Sequence, residues 1–304
     1  MTRILLIGKT GQVGWELERV LPSRGRVVAL DRAQLELTDP DSVRKAIRAA
    51  SPDLIVNAAA YTAVDKAESE PDLAMRVNGV APGVIAEEAK RVGAMLIHYS
   101  TDYVFDGTKS APYTEDDAPN PLNAYGKSKL AGEQAIAESG CAYVILRTSW
   151  VYAGRGSGNF VTTILRLARE KSELPVVNDQ IGSPTWARAL AEATGELVDK
   201  AVQAREATGI YHLAAKGYAS RFDFAKRILE IAREISREET GWGSLRPITT
   251  AEYPLLATRP LTVATSKDKV RRVFGIEMAD WEVQLRSFLT EFMKPEHRRS
   301  ATSA

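Results

Sequence analysis

Cysteine and histidine are scarce in this chain, and each shortage narrows the kind of protein it can be. Cys141 is the single cysteine among 304 residues, which excludes an intrachain disulfide framework and favours a reducing compartment. The three histidines, His98, His212 and His297, have no partner at a metal-ligand spacing. We therefore predict structural roles for the histidines and no metal site.

An excess of charge of one sign and long apolar runs are also missing. The chain has 40 basic and 39 acidic residues, a net charge of +1 and no long basic block, so we expect no nucleic-acid partner. No run approaches the roughly eighteen apolar residues of a membrane span, and the first apolar run is too short for a signal peptide. The sequence therefore predicts a cytoplasmic protein without a membrane partner.

A glycine-rich turn follows the first apolar run, Arg3–Ile7. Gly8, Gly11 and Gly14 are spaced by three, which is typical of a strand, a tight turn and a helix. In such a turn glycine lets the backbone approach a pyrophosphate, and the helix N-terminus attracts the phosphates. Lys9 invites comparison with a P-loop, but a P-loop ends with Gly-Lys-Ser/Thr, whereas here Gly-Lys-Thr begins the turn and none ends it. This argues against a P-loop. We therefore predict a dinucleotide site here.

The end of the second apolar run, residues 26–30, indicates which dinucleotides fit. Asp31 stands where a carboxylate meets the ribose hydroxyls of NADH. Arg32 follows it and suits the 2′-phosphate of NADPH. Because both determinants are present, the sequence predicts NADPH or NADH without deciding between them.

The alternation of strand-like and helical segments predicts the fold class. Continuous apolar strands separated by helices indicate an α/β fold, a Rossmann-type doubly wound parallel sheet covered on both faces. Beyond residue 149 the order loosens, so we predict a dinucleotide-binding domain over 1–149 and a smaller, mainly substrate-binding C-terminal region over 150–304. An element near 209–215 is expected to return to the main sheet, and the tail 295–304 to be disordered. The remaining strand-like runs are 53–57, 94–99 and 142–147, with a helix around 72–91.

A tyrosine and a lysine four residues apart predict an acid–base site. Tyr125 and Lys129 share one face of a predicted helix, so the ammonium can stabilise the phenolate. We expect this to lower the pKa of Tyr125 from the usual value of about 10 toward the range useful for proton transfer. Ser100 and Thr101 follow the run 94–99, at the edge where parallel sheets bind ligands. Hydroxyls there can hydrogen-bond a substrate carbonyl oxygen.

Six phrases of the sequence match a known family. They are GKTGQVGWEL at 8–17, VNAAAYTAVDKAE at 56–68, HYSTDYVF at 98–105, YGKSKLAGE at 125–133, RTSWVY at 147–152 and NDQIGSPT at 178–185. With them the chain resembles the extended short-chain dehydrogenases/reductases and, within these, the dTDP-4-dehydrorhamnose reductases. The resemblance covers residues 1 to about 190 and weakens after Pro260. It implies NAD(P)H-dependent reduction of the C4 ketone of dTDP-4-dehydro-6-deoxy-L-mannose to dTDP-L-rhamnose, for surface polysaccharide.

The resemblance also implies roles for individual residues. Thr101, Tyr125 and Lys129 form the catalytic set, and Thr101, Asp102, Tyr125 and Trp150 contact the nucleotide-sugar substrate. The residues implied in cofactor binding are Gly8, Gly11, Gln12, Val13, Gly14, Asp31, Arg32, Glu36, Leu37, Ala59, Ala60, Tyr61, Tyr125 and Lys129.

Alternatives stay open for the activity and the assembly. The same motifs resemble the regulatory subunit of methionine adenosyltransferase, which binds a cofactor without obvious turnover, and the same fold carries nucleotide-sugar epimerases. Some reductases of this branch hold Mg²⁺ between glutamates at a dimer contact, and Glu16 and Glu291 occupy two matching places. Arg188 occupies the third, a cation where a ligand is needed, so we predict no bound metal. The oligomeric state stays open, with a homodimer as one alternative.

Overall fold

The computed structural model describes residues 1–155, 158–201 and 207–294. Within these ranges no helix is long and apolar enough to cross a bilayer. The disorder expected for 295–304 and the role expected for His297 concern residues outside them. The strands are β1 Arg3–Ile7, β2 Arg26–Leu30, β3 Leu54–Asn57, β4 Met95–Thr101, β5 Ala142–Thr148, β6 Val151–Tyr152, β7 Glu173–Val177, β8 Ile181–Gly182, β9 Thr185–Trp186, β10 Gly209–His212, β11 Ala219–Ser220 and β12 Ser244–Ile248. The helices are α1 Gln12–Val20, α2 Pro40–Ala50, α3 Val64–Ser69, α4 Pro71–Met75, α5 Ala81–Val92, α6 Ala124–Ser139, α7 Phe160–Glu170, α8 Ala187–Ala201, α9 Arg221–Ile235, α10 Asp268–Phe274 and α11 Trp281–Phe292.

One parallel sheet forms the centre of the fold. Its six strands lie in the order β10-β5-β4-β3-β1-β2. Strands β3 and β4 are buried along their whole length, as strands covered on both faces must be. Residues of α1, α8 and α10 fill the core on one face, and residues of α2, α5 and α6 fill it on the other. The predicted fold class, a Rossmann-type doubly wound parallel sheet, is confirmed.

The strands stand close to where the apolar runs predicted them. The run 26–30 is β2, and the runs 53–57, 94–99 and 142–147 differ from β3, β4 and β5 by one or two residues at an end. Strand β10 lies at the edge of the main sheet, parallel to β5. The carboxyl ends of β1, β3, β4 and β5 therefore share one edge, where ligands of such sheets bind.

The helix expected around 72–91 is interrupted. It consists of α4 and α5 joined by a π-helical turn, Arg76–Val80. In this turn the Nδ2 of Asn78 donates to Ser128 Oγ at 3.0 Å and to the carbonyl oxygen of Tyr61 at 2.9 Å. A π turn redirects side chains relative to a regular helix and is frequent at functional sites. Here it ties the loop after β3 to α6.

The C-terminal half contributes both to the main sheet and to a second core. Helix α8 packs against α1, and β10 extends the sheet. Helices α7, α9 and α11 instead surround an aromatic cluster, in which the Tyr152 ring lies 5.7 Å from Phe224 and 5.2 Å from Phe288. The parallel pair β7 and β12 completes this part.

Candidate active site

The glycine-rich turn has the geometry that a pyrophosphate needs. Gly8 has a φ of +89°, a left-handed conformation that favours glycine. A Cβ on Gly14 would lie 2.0 Å from the carbonyl oxygen of Gly8, so a side chain does not fit where α1 meets the turn. Gly11 is the N-cap of α1, and among the described residues no side chain caps that helix end. Its N–H groups are thereby available to an anion at the sheet edge.

The end of β2 carries both predicted ribose determinants, at different degrees of exposure. The Asp31 carboxylate accepts hydrogen bonds from the N–H groups two and three residues further on, and lies 3.4 Å from Lys9 Nζ. Arg32 Nε lies 3.2 Å from Glu36 Oε2, with 82% of its side chain exposed. The side chain of Leu37 is buried in the core beneath α2. Asp31 is thus held in place, whereas Arg32 is free to turn toward a ligand.

The loop 59–61, predicted beside the nicotinamide, is fixed by two asparagines. Its first N–H donates to Asn57 Oδ1 at 3.2 Å. The N–H of Tyr61 donates to Asn78 Oδ1 at 2.8 Å, and its carbonyl accepts from Asn78 Nδ2. Neither asparagine was singled out from the sequence. The loop lies directly beside the glycine-rich turn, because a Cβ on Gly8 would come within 2.7 Å of its backbone.

The three predicted catalytic residues lie together at the sheet edge. Asn123 caps α6 by accepting from the N–H of Gly126 at 2.8 Å, which places Tyr125 in the first turn. Thr101 ends β4, and its hydroxyl donates to Asp102 Oδ1 at 3.1 Å and lies close enough to Tyr125 to affect the pKa of that residue. Lys129 is one turn further along α6 and is almost wholly buried.

The expected lowering of the Tyr125 pKa is not found. Burial raises the pKa of the Tyr125 hydroxyl, the nearby Thr101 hydroxyl opposes this rise, and the charge of Asp102 adds to it. The Lys129 ammonium is directed elsewhere, because Nζ donates to the carbonyl oxygen of Tyr99 at 2.6 Å and lies 3.0 Å from His98 Nε2. Desolvation outweighs stabilisation of the phenolate, so Tyr125 stays protonated at neutral pH.

The substrate side of the site contains a cation that sequence reasoning missed. Asp102 is buried and accepts from Ser149 Oγ at 2.6 Å, and burial raises its pKa to about 6. Trp150 has a φ of +44°, and the guanidinium carbon of Arg221 lies 3.5 Å from the centre of its indole. Arg221 begins α9, far from every motif in the chain, and no local pattern marks it.

A buried ion pair holds α6 against the sheet. Arg147 of β5 donates Nη2 to Glu133 Oε2 at 2.6 Å, and both side chains are 2% exposed. Ser100 of β4 donates to the other carboxylate oxygen at 2.5 Å. Paired charges and a further hydrogen bond satisfy the buried carboxylate. The pair therefore fixes the helix that carries Tyr125 and Lys129.

The place compared above with a magnesium site is occupied by an arginine. Arg188 Nε lies 3.2 Å from Glu16 Oε2, and its Nη2 lies 3.0 Å from Glu291 Oε1. The guanidinium thus bridges both carboxylates. Among the described residues no group of three or more His, Cys, Asp or Glu side chains has the arrangement of a metal site.

The fold and site define a class of protein. A parallel sheet with a glycine-rich first turn, and with a Tyr-x-x-x-Lys pair at its carboxyl edge, is that of the extended short-chain dehydrogenases/reductases. The family model described as the RmlD substrate binding domain matches residues 1–294. The chain belongs to this family.

Individual relatives match nearly the whole chain. It is 46% identical to the dTDP-4-dehydrorhamnose reductase of Burkholderia thailandensis, over 92% of this chain and 95% of that one. It is 44% identical to the dTDP-4-dehydrorhamnose reductase of Escherichia coli K12, over 95% of this chain and 97% of that one.

Solved structures agree. A dTDP-4-dehydrorhamnose reductase of Clostridium acetobutylicum has a TM-score of 0.87 and 34% identity, covering 95% of this chain and 99% of that one. The reductase of the same name from Bacillus anthracis, in complex with NADP, has a TM-score of 0.86 and 35% identity at the same coverage. UDP-glucose 4-epimerase of Thermus thermophilus, at a TM-score of 0.76 and 19% identity, shares the fold alone.

Proposed function

We propose that this protein is an NAD(P)H-dependent dTDP-4-dehydrorhamnose reductase. It reduces the C4 ketone of dTDP-4-dehydro-6-deoxy-L-mannose and releases dTDP-L-rhamnose, for surface polysaccharide. The observation that carries the proposal is the meeting of Thr101, Tyr125 and Lys129 beside the glycine-rich turn, in a chain whose relatives bear this name.

The cofactor site follows from the geometry of the sheet edge. The turn Gly8 to Gly14 and the first N–H groups of α1 hold the pyrophosphate, with Gln12 and Val13 in the first turn of that helix. Asp31, Arg32 and Glu36 line the adenosine side, with the buried Leu37 packed behind them, and Ala59, Ala60 and Tyr61 line the nicotinamide side. The NADP complex of the Bacillus anthracis relative supports NADPH as one cofactor.

The chemistry divides between the cofactor and the side chains. When bound, NAD(P)H supplies the hydride to C4 of the sugar. Tyr125 donates its hydroxyl proton to the oxygen on which charge develops, and Thr101 hydrogen-bonds the same oxygen. Lys129 offsets the charge left on Tyr125 and holds the nicotinamide ribose. A tyrosine whose pKa is raised is protonated at neutral pH, which is the form that a reduction requires.

The sugar nucleotide is bound mainly by the region 150–304. Asp102 and Trp150 face the sugar, and the Arg221 guanidinium stacked on Trp150 adds a positive charge near the site. We propose the cytoplasm as the location, in keeping with the single cysteine.

The two rival functions make different demands. A regulatory subunit binds the dinucleotide without turnover, and an epimerase retains it without net oxidation. The intact set Thr101, Tyr125 and Lys129 and relatives named as reductases favour the reductase. The epimerase likeness rests on 19% identity, which supports only the shared fold.

One assay separates these functions. Purified protein is mixed with NADPH and dTDP-4-dehydro-L-rhamnose, and the absorbance of NADPH is followed over many turnovers. We expect sugar-dependent oxidation of one NADPH per product. Dinucleotide binding without oxidation would support the regulatory subunit, and product formation without net oxidation would support the epimerase.

A further inference from the structure

The buried side of Lys129 contacts His98, which in turn contacts Asn57. The mechanism above uses neither of these two residues. His98 Nε2 lies 3.0 Å from Lys129 Nζ, and His98 Nδ1 lies 3.0 Å from Asn57 Nδ2. Each of the three side chains is at most 1% exposed. These three side chains therefore link β3, β4 and α6 in a place that solvent does not reach.

The hydrogen bonds determine where the His98 proton sits. Asn57 Oδ1 accepts from the N–H of Ala59 at 3.2 Å, which leaves the Nδ2 donor facing His98. Nδ1 of His98 must then accept. Burial, and then the charge of Lys129, hold the pKa of His98 well below its usual value, so the ring is neutral and carries one proton. That proton is on Nε2, directed at Lys129.

This arrangement disfavours the ammonium form of Lys129. An ammonium has donors only, so the Nε2–H of His98 and an N–H of Lys129 would face each other. The conflict disappears when Lys129 loses a proton, because the amine lone pair accepts from Nε2–H. The amine still donates to the carbonyl oxygen of Tyr99, 2.6 Å away.

We propose that Asn57 and His98 are positioning residues that present a hydrogen-bond donor to Lys129 and so favour its neutral amine over its ammonium. The histidine thereby sets the pH at which Lys129 stops supporting Tyr125. This effect on turnover rests on the proposed function, whereas the position of the proton does not. The pKa of Lys129 is lowered to about 8, with burial as the largest cause, in keeping with this direction.

The other ionisable groups around Lys129 do not reverse the conclusion. Glu133, on the same helix, favours the ammonium by its charge. Its carboxylate oxygens accept hydrogen bonds from Ser100 and from Arg147 of β5. The positive charge of Arg147 offsets the negative charge of Glu133. None of these groups stands between His98 and Lys129.

Nitrogen NMR of the folded protein tests the position of the proton without any assay of activity. The chain has three histidines, so protein labelled with ¹⁵N-histidine gives few ring signals. We expect His98 to show a protonated Nε2 and a bare Nδ1. Protonation at Nδ1 would overturn the proposal even if the enzyme turns over.

Asn57→Asp is the sharpest variant for the same experiment. A carboxylate in this place keeps the acceptor for the Ala59 N–H but offers His98 Nδ1 an acceptor instead of a donor. We expect the ring proton to move to Nδ1, which frees the Nε2 lone pair for the Lys129 ammonium. An unchanged tautomer would contradict the role given to Asn57.

The pH dependence of kcat/KM tests the consequence. Activity falls on the alkaline side as Lys129 loses its proton. His98→Phe removes the donor, so we expect this fall to move upward by about one pH unit. If His98 instead accepted from the ammonium, the shift would be downward. No shift, or a downward shift, overturns the proposal.

A matched control is available on β10, which β5 separates from β4. His212 is also fully buried, but its Nδ1 faces the Ser266 carbonyl oxygen and not Lys129. His212→Phe should leave the alkaline fall where it is. If His98→Phe does not fold, Asn57→Asp supplies the upward shift. If neither wild type nor any variant reduces the sugar, the proposed function is wrong. The NMR result then still decides which ring nitrogen of His98 carries the proton.

Discussion

At the scale of single residues, the hydroxyl of Tyr125 is central because it is the group placed to donate a proton. Its neighbours keep it in the acid form, since burial raises its pKa and Asp102 adds to the rise. The direction suits reduction of a ketone, in which the oxygen gains a proton.

Tyr125→Phe removes only this hydroxyl. We expect kcat to fall by at least about a hundredfold, with NADPH affinity and melting temperature close to wild type, because general acid catalysis is worth roughly that factor. Tyr152→Phe is the matched control, since its hydroxyl is buried without a hydrogen-bond partner among the described residues. Steady-state kinetics of both variants tests the role of Tyr125 as the proton donor. A kcat near wild type for Tyr125→Phe would contradict it.

Asp102 links the site to stability. Its pKa is raised to about 6 by burial, so the folded protein is destabilised by its ionisation as pH rises from about 4 to about 6. Asp102→Asn lacks this cost. We expect the free energy of unfolding of the variant, relative to wild type, to improve by roughly 2 kcal/mol between about pH 4.5 and about pH 7. Denaturant titrations at both pH values measure this difference in the free energy of unfolding between variant and wild type. The same difference at both pH values would show that Asp102 does not ionise while buried.

At the scale of elements, the turn between β1 and α1 makes two separable demands on glycine. Gly14→Ala places a Cβ 2.0 Å from the Gly8 carbonyl oxygen, whereas a Cβ on Gly11 would lie 3.4 Å from the same atom. We expect Gly14→Ala to lower the melting temperature by several degrees through overpacking. Gly11→Ala should fold normally yet bind NADPH more weakly, because its methyl faces the ligand. Thermal melts and NADPH titrations that give the two variants the same profile would contradict this division.

The end of β2 decides the choice of cofactor. Among the described residues, the Arg32 side chain is paired only with the partly exposed Glu36, an interaction of less than about 1 kcal/mol, so it can turn to a 2′-phosphate. Arg32→Ala should reduce kcat/KM for NADPH by about tenfold or more and for NADH by far less. Lys9→Ala is the comparison, because Lys9 is tied to Asp31 and Gln34. Equal losses with the two cofactors would show that Arg32 does not reach the ribose.

At the scale of the whole molecule, local patterns predicted what neighbours in sequence determine. The apolar runs located β2 to β5, and the spacing of Gly8, Gly11 and Gly14 located the turn into α1. Pairs distant in sequence left no such pattern. His98 meets Lys129 across 31 positions, and its contact became visible only when β4 and α6 were packed together.

The longest of these pairs joins the two halves of the chain. Arg259 donates to both carboxylate oxygens of Asp65, at 2.9 and 2.7 Å, across 194 positions. Asn123, which caps α6, also donates to the carbonyl oxygen of Thr258. Beyond Pro260 the chain runs beside Ile181, within the phrase NDQIGSPT. The segment beyond Pro260, which the matching phrases do not reach but which the family model covers, is therefore held against those phrases by contacts that sequence alone could not predict.

The transfer of hydrogen to C4 of the sugar tests the central claim most directly. Wild-type protein and Tyr125→Phe are incubated with dTDP-4-dehydro-L-rhamnose and NADPH that carries deuterium at both C4 positions of its nicotinamide, and the product is analysed by NMR. We expect wild type to give dTDP-L-rhamnose with one deuterium at C4 of the sugar, and Tyr125→Phe to give almost none. Product without deuterium at C4, or deuterium in the C4 epimer of rhamnose, would contradict the account.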